Sequence, residues 1–101
     1  MRQKMILNEI FQKLKDLGVV RSEREFSKDW LGRSECYLRN IRFNGLAPSV
    51  SSVAVCASKL QYSGQRLLAD GIHKNLGEQL VGLAAKCHSH VNQHPKLHLL
   101  S

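Results

Sequence analysis

The chain has 101 residues, of which 43% are hydrophobic, and its formal net charge at pH 7 is +7. A length near the usual domain size and that apolar share predict one globular domain and exclude an intrinsically disordered chain. The excess of fifteen Lys and Arg over eight Asp and Glu suits a polyanionic partner such as DNA or RNA, although a merely soluble basic protein fits this charge equally well.

The first predicted element is an amphipathic helix over residues 2–17. Its apolar side chains recur at the spacing of three and four residues that places them on one face of a helix. They are Met5, Ile6, Ile10, Phe11, Leu14 and Leu17. Gly18 predicts the end of this helix, because glycine tolerates the left-handed conformation of a helix C-terminus. The segment lacks the roughly 7–15-residue apolar core of a secretory signal, which favours a cytoplasmic protein.

A helix-turn-helix is predicted in residues 22–44. Ser22 and Glu25 form a capping-box pattern, in which the serine hydroxyl accepts a hydrogen bond from the backbone N–H of Glu25 and the carboxylate reaches back to Ser22. The helix that begins there carries three side chains predicted to face the core, namely Phe26, Trp30 and Leu31. Gly32 then permits a tight turn that a residue with a Cβ would resist.

A second short helix follows this turn. Ser34 is predicted to cap it, and Leu38 and Ile41 are predicted to face inward. Asn44-Gly45 ends the helix, and Pro48-Ser49 opens the next one. That next helix carries apolar residues along one side, at Val50, Val53, Ala54, Ala57 and Leu60.

Apolar residues continue at helical spacing through a C-terminal helical region, residues 63–94. They are Leu67, Leu68, Ile72, Leu76, Leu80, Leu83, Ala84, Cys87 and Val91. One helix of about thirty residues fits this spacing, but the glycines favour a break near residues 75–77 and therefore two helices. The stripe either forms a homodimer interface or covers the core. Together the elements predict an all-α fold, a compact bundle of five or six helices.

Residues 22–60, SEREFSKDWLGRSECYLRNIRFNGLAPSVSSVAVCASKL, resemble the helix-turn-helix of the Cro and lambda-repressor-like (XRE-type) regulators. In that family a short helix ends at a glycine, a recognition helix follows, and a loop ending in Pro-Ser leads into the next core helix. The matching residues are Leu31, Gly32, Leu38, Ile41, Gly45, Pro48 and Ser49. Lys28 departs from the family pattern, because a small residue usually stands four places before the turn glycine. Arg33 departs as well, at a usually apolar position. The run FSKDWLGRSECYLRNIR also resembles a group of small, uncharacterised bacterial proteins.

The resemblance implies that the second helix of the motif enters the major groove of DNA. The candidate DNA-binding residues are Arg33, Ser34, Glu35, Tyr37, Arg39, Asn40 and Arg42. Arg39 has the two donors that read guanine through O6 and N7, and Asn40 has the acceptor and the donor that read adenine through N6 and N7. Arg33 and Ser34, at the start of the recognition helix, suit phosphate contacts. For each residue, a role as an ordinary solvated side chain stays the alternative.

Other constellations are interpreted structurally. Trp30 is predicted to anchor the core rather than to stack on single-stranded bases. Cys87, His90 and His94 share a helix face at a spacing that suits zinc, but Cys87 continues the apolar stripe and is predicted to be a buried thiol, so no metal site is predicted. The three cysteines are widely spaced and favour a reducing compartment. The sequence contains no Ser/His/Asp triad pattern and no glycine-rich loop with lysine that would bind a phosphate, so neither enzyme activity nor a cofactor is predicted.

The sequence thus predicts a small transcriptional regulator, namely a repressor that occupies double-stranded DNA. It is predicted to act as a homodimer, whose two copies associate through the C-terminal helical region. The alternative is an adaptor or antiactivator that keeps the fold but binds a regulatory protein. Four carboxylates near the recognition helix favour this alternative, at Glu23, Glu25, Asp29 and Glu35. The charge over residues 33–44 discriminates between the two. A continuous positive surface favours DNA, whereas interruption by carboxylates beside apolar surface favours a protein partner.

Overall fold

A computed structural model describes residues 6–93 of the chain. Within these residues the chain forms five helices and no strand, so the all-α prediction is confirmed. The helices are α1 (Ile6–Asp16), α2 (Glu23–Glu25, continued by the π-helical turn Phe26–Trp30), α3 (Tyr37–Phe43), α4 (Val50–Asp70) and α5 (Lys74–Asn92). None of these helices combines the length and apolar character that crossing a membrane requires.

Helix α1 packs its apolar face into the core. Ile10, Phe11 and Leu14 are buried as predicted, and the Phe11 ring lies 5.6 Å from the ring of Phe26. Gly18 follows the helix with a φ of 77° and confirms the predicted stop. Residues 2–5 of the predicted helix lie outside the described residues. The first helix therefore closes one side of the core against α2.

The C-terminal helical region predicted over residues 63–94 does not begin with a helix of its own, because α4 continues through Tyr62 and Ser63 to Asp70. The chain then turns at Gly71, which adopts the left-handed conformation with a φ of 74°, and α5 begins at Lys74. The break predicted near residues 75–77 is therefore also misplaced, although two helices do form. A short turn between two long helices makes α4 and α5 an antiparallel hairpin.

Two buried glycines allow the helices of this hairpin to approach closely. A Cβ on Gly64 would lie 2.9 Å from the carbonyl oxygen of Gly77, and a Cβ on Gly77 would lie 2.8 Å from the carbonyl oxygen of Gly64. Real Cβ atoms do not approach backbone oxygens so closely, so any larger residue would push the helices apart. Gly77 thus stands inside α5 for the sake of packing and does not end a helix.

The apolar stripe of the C-terminal region mostly covers the core. Leu80, Leu83 and Cys87 are buried against the other helices, whereas Ile72, in the α4–α5 turn, is 79% exposed. Leu76 is half-buried. This arrangement favours the interpretation of the stripe as core over that of the stripe as a dimer interface.

Candidate nucleic-acid interface

The α2–α3 segment begins with a serine cap and contains an irregular turn. The Ser22 hydroxyl accepts a hydrogen bond from the backbone N–H of Glu25 at 3.2 Å, as predicted. From Phe26 to Trp30 the backbone is π-helical, which accommodates one more residue per turn than an α-helix. This wider turn places Phe26 and Ser27 in the core and leaves Trp30 half-buried.

Ser27 connects α2 to the start of α3. Its hydroxyl accepts a hydrogen bond from the backbone N–H of Leu38 at 3.1 Å, and both residues are fully buried. Leu38 is the second residue of α3, where the N–H has no partner within the helix. Ser27 therefore satisfies a buried donor and positions α3 against α2.

The prediction that Ser34 caps α3 is wrong. The helix begins at Tyr37, after a connection of residues 31–36, and Cys36 stands at the capping position without a side-chain hydrogen bond. Ser34 is exposed, and its carbonyl oxygen accepts from the N–H of Tyr37 at 3.0 Å. The connection is longer than the usual turn of three or four residues. The cap therefore comes from Ser27, across the fold.

Two ion pairs join α2 to α3 and to the connection before it. Arg24 contacts Glu35 at 2.8 Å, and Arg42 contacts Glu23 at 2.8 Å. Arg42 also donates to the side-chain oxygen of Asn8 at 3.4 Å. The pairs border a charged cleft of about 410 Å³ that is also lined by Cys36 and Arg39. Because exposed ion pairs contribute only about 0–1 kcal/mol, the arginines can exchange these partners for a stronger anion at little cost.

Arg33 lies over the N-terminus of α4 rather than at the start of α3. Its guanidinium donates to the hydroxyls of Ser49 and Ser51 at 2.8 and 2.9 Å, and lies 5.3 Å from the centre of the Tyr37 ring. The Tyr37 hydroxyl in turn bonds the Ser52 hydroxyl at 2.8 Å and accepts from the N–H of Ser49 at 3.1 Å. Burial acts to raise the pKa of Tyr37, but hydrogen bonds from both serines and the charge of Arg33 outweigh it and lower the pKa. Tyr37 is therefore a positioning residue, half-buried beneath Arg33.

Helix α3 presents two of the predicted base-reading residues to solvent. Leu38 and Ile41 are buried as predicted, which leaves Arg39 and Asn40 exposed between them. The Arg39 guanidinium is 3.4 Å from the Cys36 sulfur, a weak contact. Both side chains are therefore free to face a ligand.

The surface over residues 33–44 is positive but interrupted. Glu23 and Glu35 lie among the arginines of the charged cleft. The face is also flanked by apolar surface, because Phe43 is 87% exposed and Leu46 is 59% exposed. On the criterion set from the sequence, these two features favour a protein partner, whereas the exposed Arg39 and Asn40 suit DNA.

Two of the three metal ligands considered from the sequence, Cys87 and His90, lie in different environments. Cys87 is buried in the core, whereas His90, on the same helix, is exposed. Within residues 6–93, no group of three or more His, Cys, Asp or Glu side chains is arranged to hold a metal ion. His94, the third residue of the considered set, lies outside the described residues.

A family model matches residues 7–98 and so spans every helix from α1 to α5. The chain belongs to DUF6626, a family of unknown function. No curated protein and no solved structure matches it. Membership of DUF6626 therefore brings no activity with it, and the function of the α3 face has to be argued from the residues on it.

Sequence reasoning missed three participants in this DUF6626 chain. Ser27 has no local pattern that marks it, because its partner Leu38 stands eleven residues further on. Ser51 is the second such residue, although three serines within four residues of Pro48 mark a helix start where an arginine can bond hydroxyls. Arg24 belongs to the charged cleft as well, and its partner Glu35 stands eleven residues further on, so no local pattern marks this contact.

Proposed function

We propose that the chain is a transcriptional regulator that binds double-stranded DNA through α3 and acts as a repressor by occupying its operator. The observation that carries this proposal is the burial of Leu38 and Ile41, which turns Arg39 and Asn40 outward from a helix held at its start by Ser27. A single α-helix fits the major groove of B-form DNA, and these two side chain types read base edges there.

The π-helical turn accounts for the departure at Lys28. The family pattern has a small residue four places before the turn glycine, whereas in this chain the small residue Ser27 stands five places before Gly32. A π-helical turn absorbs one inserted residue, so that Ser27 occupies a buried site and Lys28 is exposed. This shift by one residue aligns Ser27 with the small residue of the family pattern, which supports the resemblance to XRE-type helix-turn-helix proteins.

The candidate residues divide into two roles. Arg39 and Asn40 read base edges, with Glu35 as an acceptor for a cytosine amino group. Arg33, Ser34 and Arg42 contact phosphates, and Tyr37 holds Arg33 in place. Arg33 suits a phosphate contact in particular, because the N-terminus of α4 beside it carries a partial positive charge of its own.

The test is fluorescence anisotropy on random-sequence duplex DNA and on selected operators, at low and near-physiological salt. Micromolar binding that weakens steeply with salt is expected, because each neutralised phosphate releases counterions. Arg39→Ala should lose about 1–3 kcal/mol at one base position, whereas Arg33→Ala should weaken all sequences alike. The matched control is Lys74→Ala, which removes the same charge beyond the far end of α4. Equal loss in all three variants would contradict a specific interface.

A second candidate function is binding of a regulatory protein by the same face. Phe43 and Leu46, both well exposed at the end of α3, are the observation that favours it. A folded protein that binds no DNA even at low salt would exclude the regulator and leave this candidate. To test it, the native chain is compared with the Phe43→Ser variant. The native chain should retain a partner protein that the variant loses, and DNA binding is measured on both proteins.

A further inference from the structure

A groove with an apolar base lies away from α3, between the end of α2, the second half of α4 and the start of α5. It consists of two adjoining hollows of about 350 and 380 Å³ that share Trp30, Tyr62 and Ser63. Leu67 and Leu76 line its base. We call this surface the Trp30 groove. The charged cleft beside α3 has a different lining, so the two surfaces are separate.

The aromatic and cationic residues of the Trp30 groove are of the types that carry binding energy in protein interfaces. Tyr62 is 63% exposed, and the Arg66 guanidinium lies 5.7 Å from the centre of its ring. Trp30 is half-buried beside them. Trp, Tyr and Arg are the residues most enriched among interface hot spots, and a stacked pair loses little conformational entropy on binding.

The charges of the Trp30 groove indicate which partner fits it. Its charged lining residues are Asp29, Lys59, Arg66 and Asp70, two acids and two bases, whereas the whole chain carries +7. Neither Arg66 nor Asp70 takes part in an ion pair with another of the described residues. A polyanion would gain nothing from such a neutral surface. A second copy of the chain, repelled elsewhere by its own positive charge, could approach here.

From this balance we infer that the Trp30 groove binds a second copy of the chain about a twofold axis. In such an interface the same patch meets itself, so a patch with two acids and two bases can place the cations of one copy against the carboxylates of the other. Tyr62 of each copy then fills part of the groove of its partner. The inference places the dimer contact at α2 and α4 as well as in the C-terminal helical region.

This inference deepens the proposed function, because a lone helix-turn-helix reads a half-site and a dimer reads two. The α3 face begins beside Ser49, whereas Tyr62 lies thirteen residues further along α4. At a rise of about 1.5 Å per residue, Tyr62 is about 20 Å from Ser49 along that helix. Because none of the residues that line the groove belongs to α3, contact through the groove leaves α3 uncovered in both copies.

The test uses self-association without DNA, so that its failure is distinct from a failure to bind DNA. Sedimentation velocity of the full chain between about 5 and about 500 μM should show a concentration-dependent dimer. Trp30 is the only tryptophan, so its emission should shift to shorter wavelength over the same range as the groove loses water. Tyr62→Glu should abolish both changes, because it places a charge in the groove. The fold should tolerate this substitution, because Tyr62 is at an exposed helix position.

Phe43→Glu is the matched control, since it puts the same charge on the other large exposed aromatic residue. It should leave the dimer and the Trp30 emission shift unchanged. A wild-type chain that stays monomeric at every concentration would overturn the inference and leave the groove to a different protein or a small molecule. A dimer that survives Tyr62→Glu, or a dimer that is lost in Phe43→Glu, would overturn it too.

Discussion

The α4–α5 hairpin and the α2–α3 segment are stabilised by different kinds of contact. In the hairpin, two long helices pack backbone to backbone at Gly64 and Gly77, with Cys56 and Cys87 buried between them. The α2–α3 segment has short helices, and its contacts include a buried serine hydroxyl and exposed ion pairs. Close apolar packing tolerates little change, whereas exposed polar contacts can be exchanged.

The difference indicates how stability and function are divided in this molecule. The hairpin is a scaffold whose geometry is fixed by sterics, and the α2–α3 segment presents the candidate binding surface from it. The Lys59 ammonium on α4 also donates to the backbone carbonyl of Asp29, which fastens the end of α2 to the scaffold. Short helices with exposed polar contacts open locally before long, closely packed helices do. The α2–α3 segment should therefore open more readily than the hairpin.

Thiol reactivity tests this division most directly. Cys56 and Cys87 are fully buried in the hairpin, whereas Cys36 is half-buried in the connection before α3. In the native protein the Cys36 thiol should react with an aromatic disulfide reagent about a thousandfold faster than the thiols of Cys56 and Cys87, because the latter two become accessible only when the hairpin opens. All three should react rapidly in denaturant, and Cys36→Ser should remove the fast phase. Two fast thiols would contradict a closed hairpin.

The same pair of buried thiols predicts a dependence of stability on pH. The hydrogen bond with Cys87 and burial together raise the pKa of the Cys56 thiol. The folded state thus holds this proton more tightly than the unfolded state, so the stabilisation is complete below the ordinary thiol pKa of about 8.5 and is lost as the pH rises beyond it. Urea unfolding between pH 7 and pH 10 should show a fall in the free energy of unfolding that is smaller in Cys56→Ala.

Glycine substitutions test whether the close approach of the helices fixes the hairpin. Gly64→Ala and Gly77→Ala should each lower the free energy of unfolding by about 1–3 kcal/mol, since the new methyl group meets a backbone oxygen that cannot move without separating the helices. Gly82→Ala is the control within α5, where a Cβ meets nothing within 4 Å. It should stabilise the protein by up to about 1 kcal/mol through helix propensity. Stabilisation by all three substitutions would mean that α4 and α5 lie further apart than the distances at Gly64 and Gly77 indicate.

Local sequence patterns predicted the helix ends that depend on neighbouring residues. Ser22 and Ser49 cap helices, and Gly18 ends one, because each acts on residues within four positions of itself. Gly77 was misinterpreted as a break because its role depends on Gly64, thirteen residues away on another helix. Periodicity likewise placed Leu38 and Ile41 in the core.

The candidate site was predicted in outline and not in detail. The exposed positions of Arg39 and Asn40 follow from helical periodicity alone. Ser34 was expected to cap α3, but the cap comes from Ser27, and a contact across a six-residue connection leaves no periodic signal. The ion pairs of Arg24 and Arg42 depend on how α2 crosses α3, which is also a property of the tertiary fold.

Ser27→Ala tests how α3 is held. The substitution leaves the N–H of Leu38 buried without an acceptor, which should cost about 1–2 kcal/mol. Hydrogen exchange of the Leu38 amide should accelerate more than that of amides in α4 and α5, because α3 loosens while the hairpin stays closed. Ser58→Ala, an exposed serine within α4, should leave stability and exchange nearly unchanged. Uniform acceleration across all helices would show instead that the molecule opens as one unit.

The smallest expected effect on stability is the most informative about function. Glu35→Gln breaks the exposed contact with Arg24, which should change the free energy of unfolding by less than about 1 kcal/mol. The substitution also removes a negative charge from the α3 face, so nonspecific DNA binding should tighten. Glu78→Gln, an exposed carboxylate on α5, makes the same change in net charge away from that face. Tighter DNA binding by Glu35→Gln than by Glu78→Gln would locate the DNA on the α3 face, because only a nearby carboxylate repels phosphates strongly at physiological salt. Equal effects of the two variants would remove the α3 face from DNA binding and favour the protein-binding alternative.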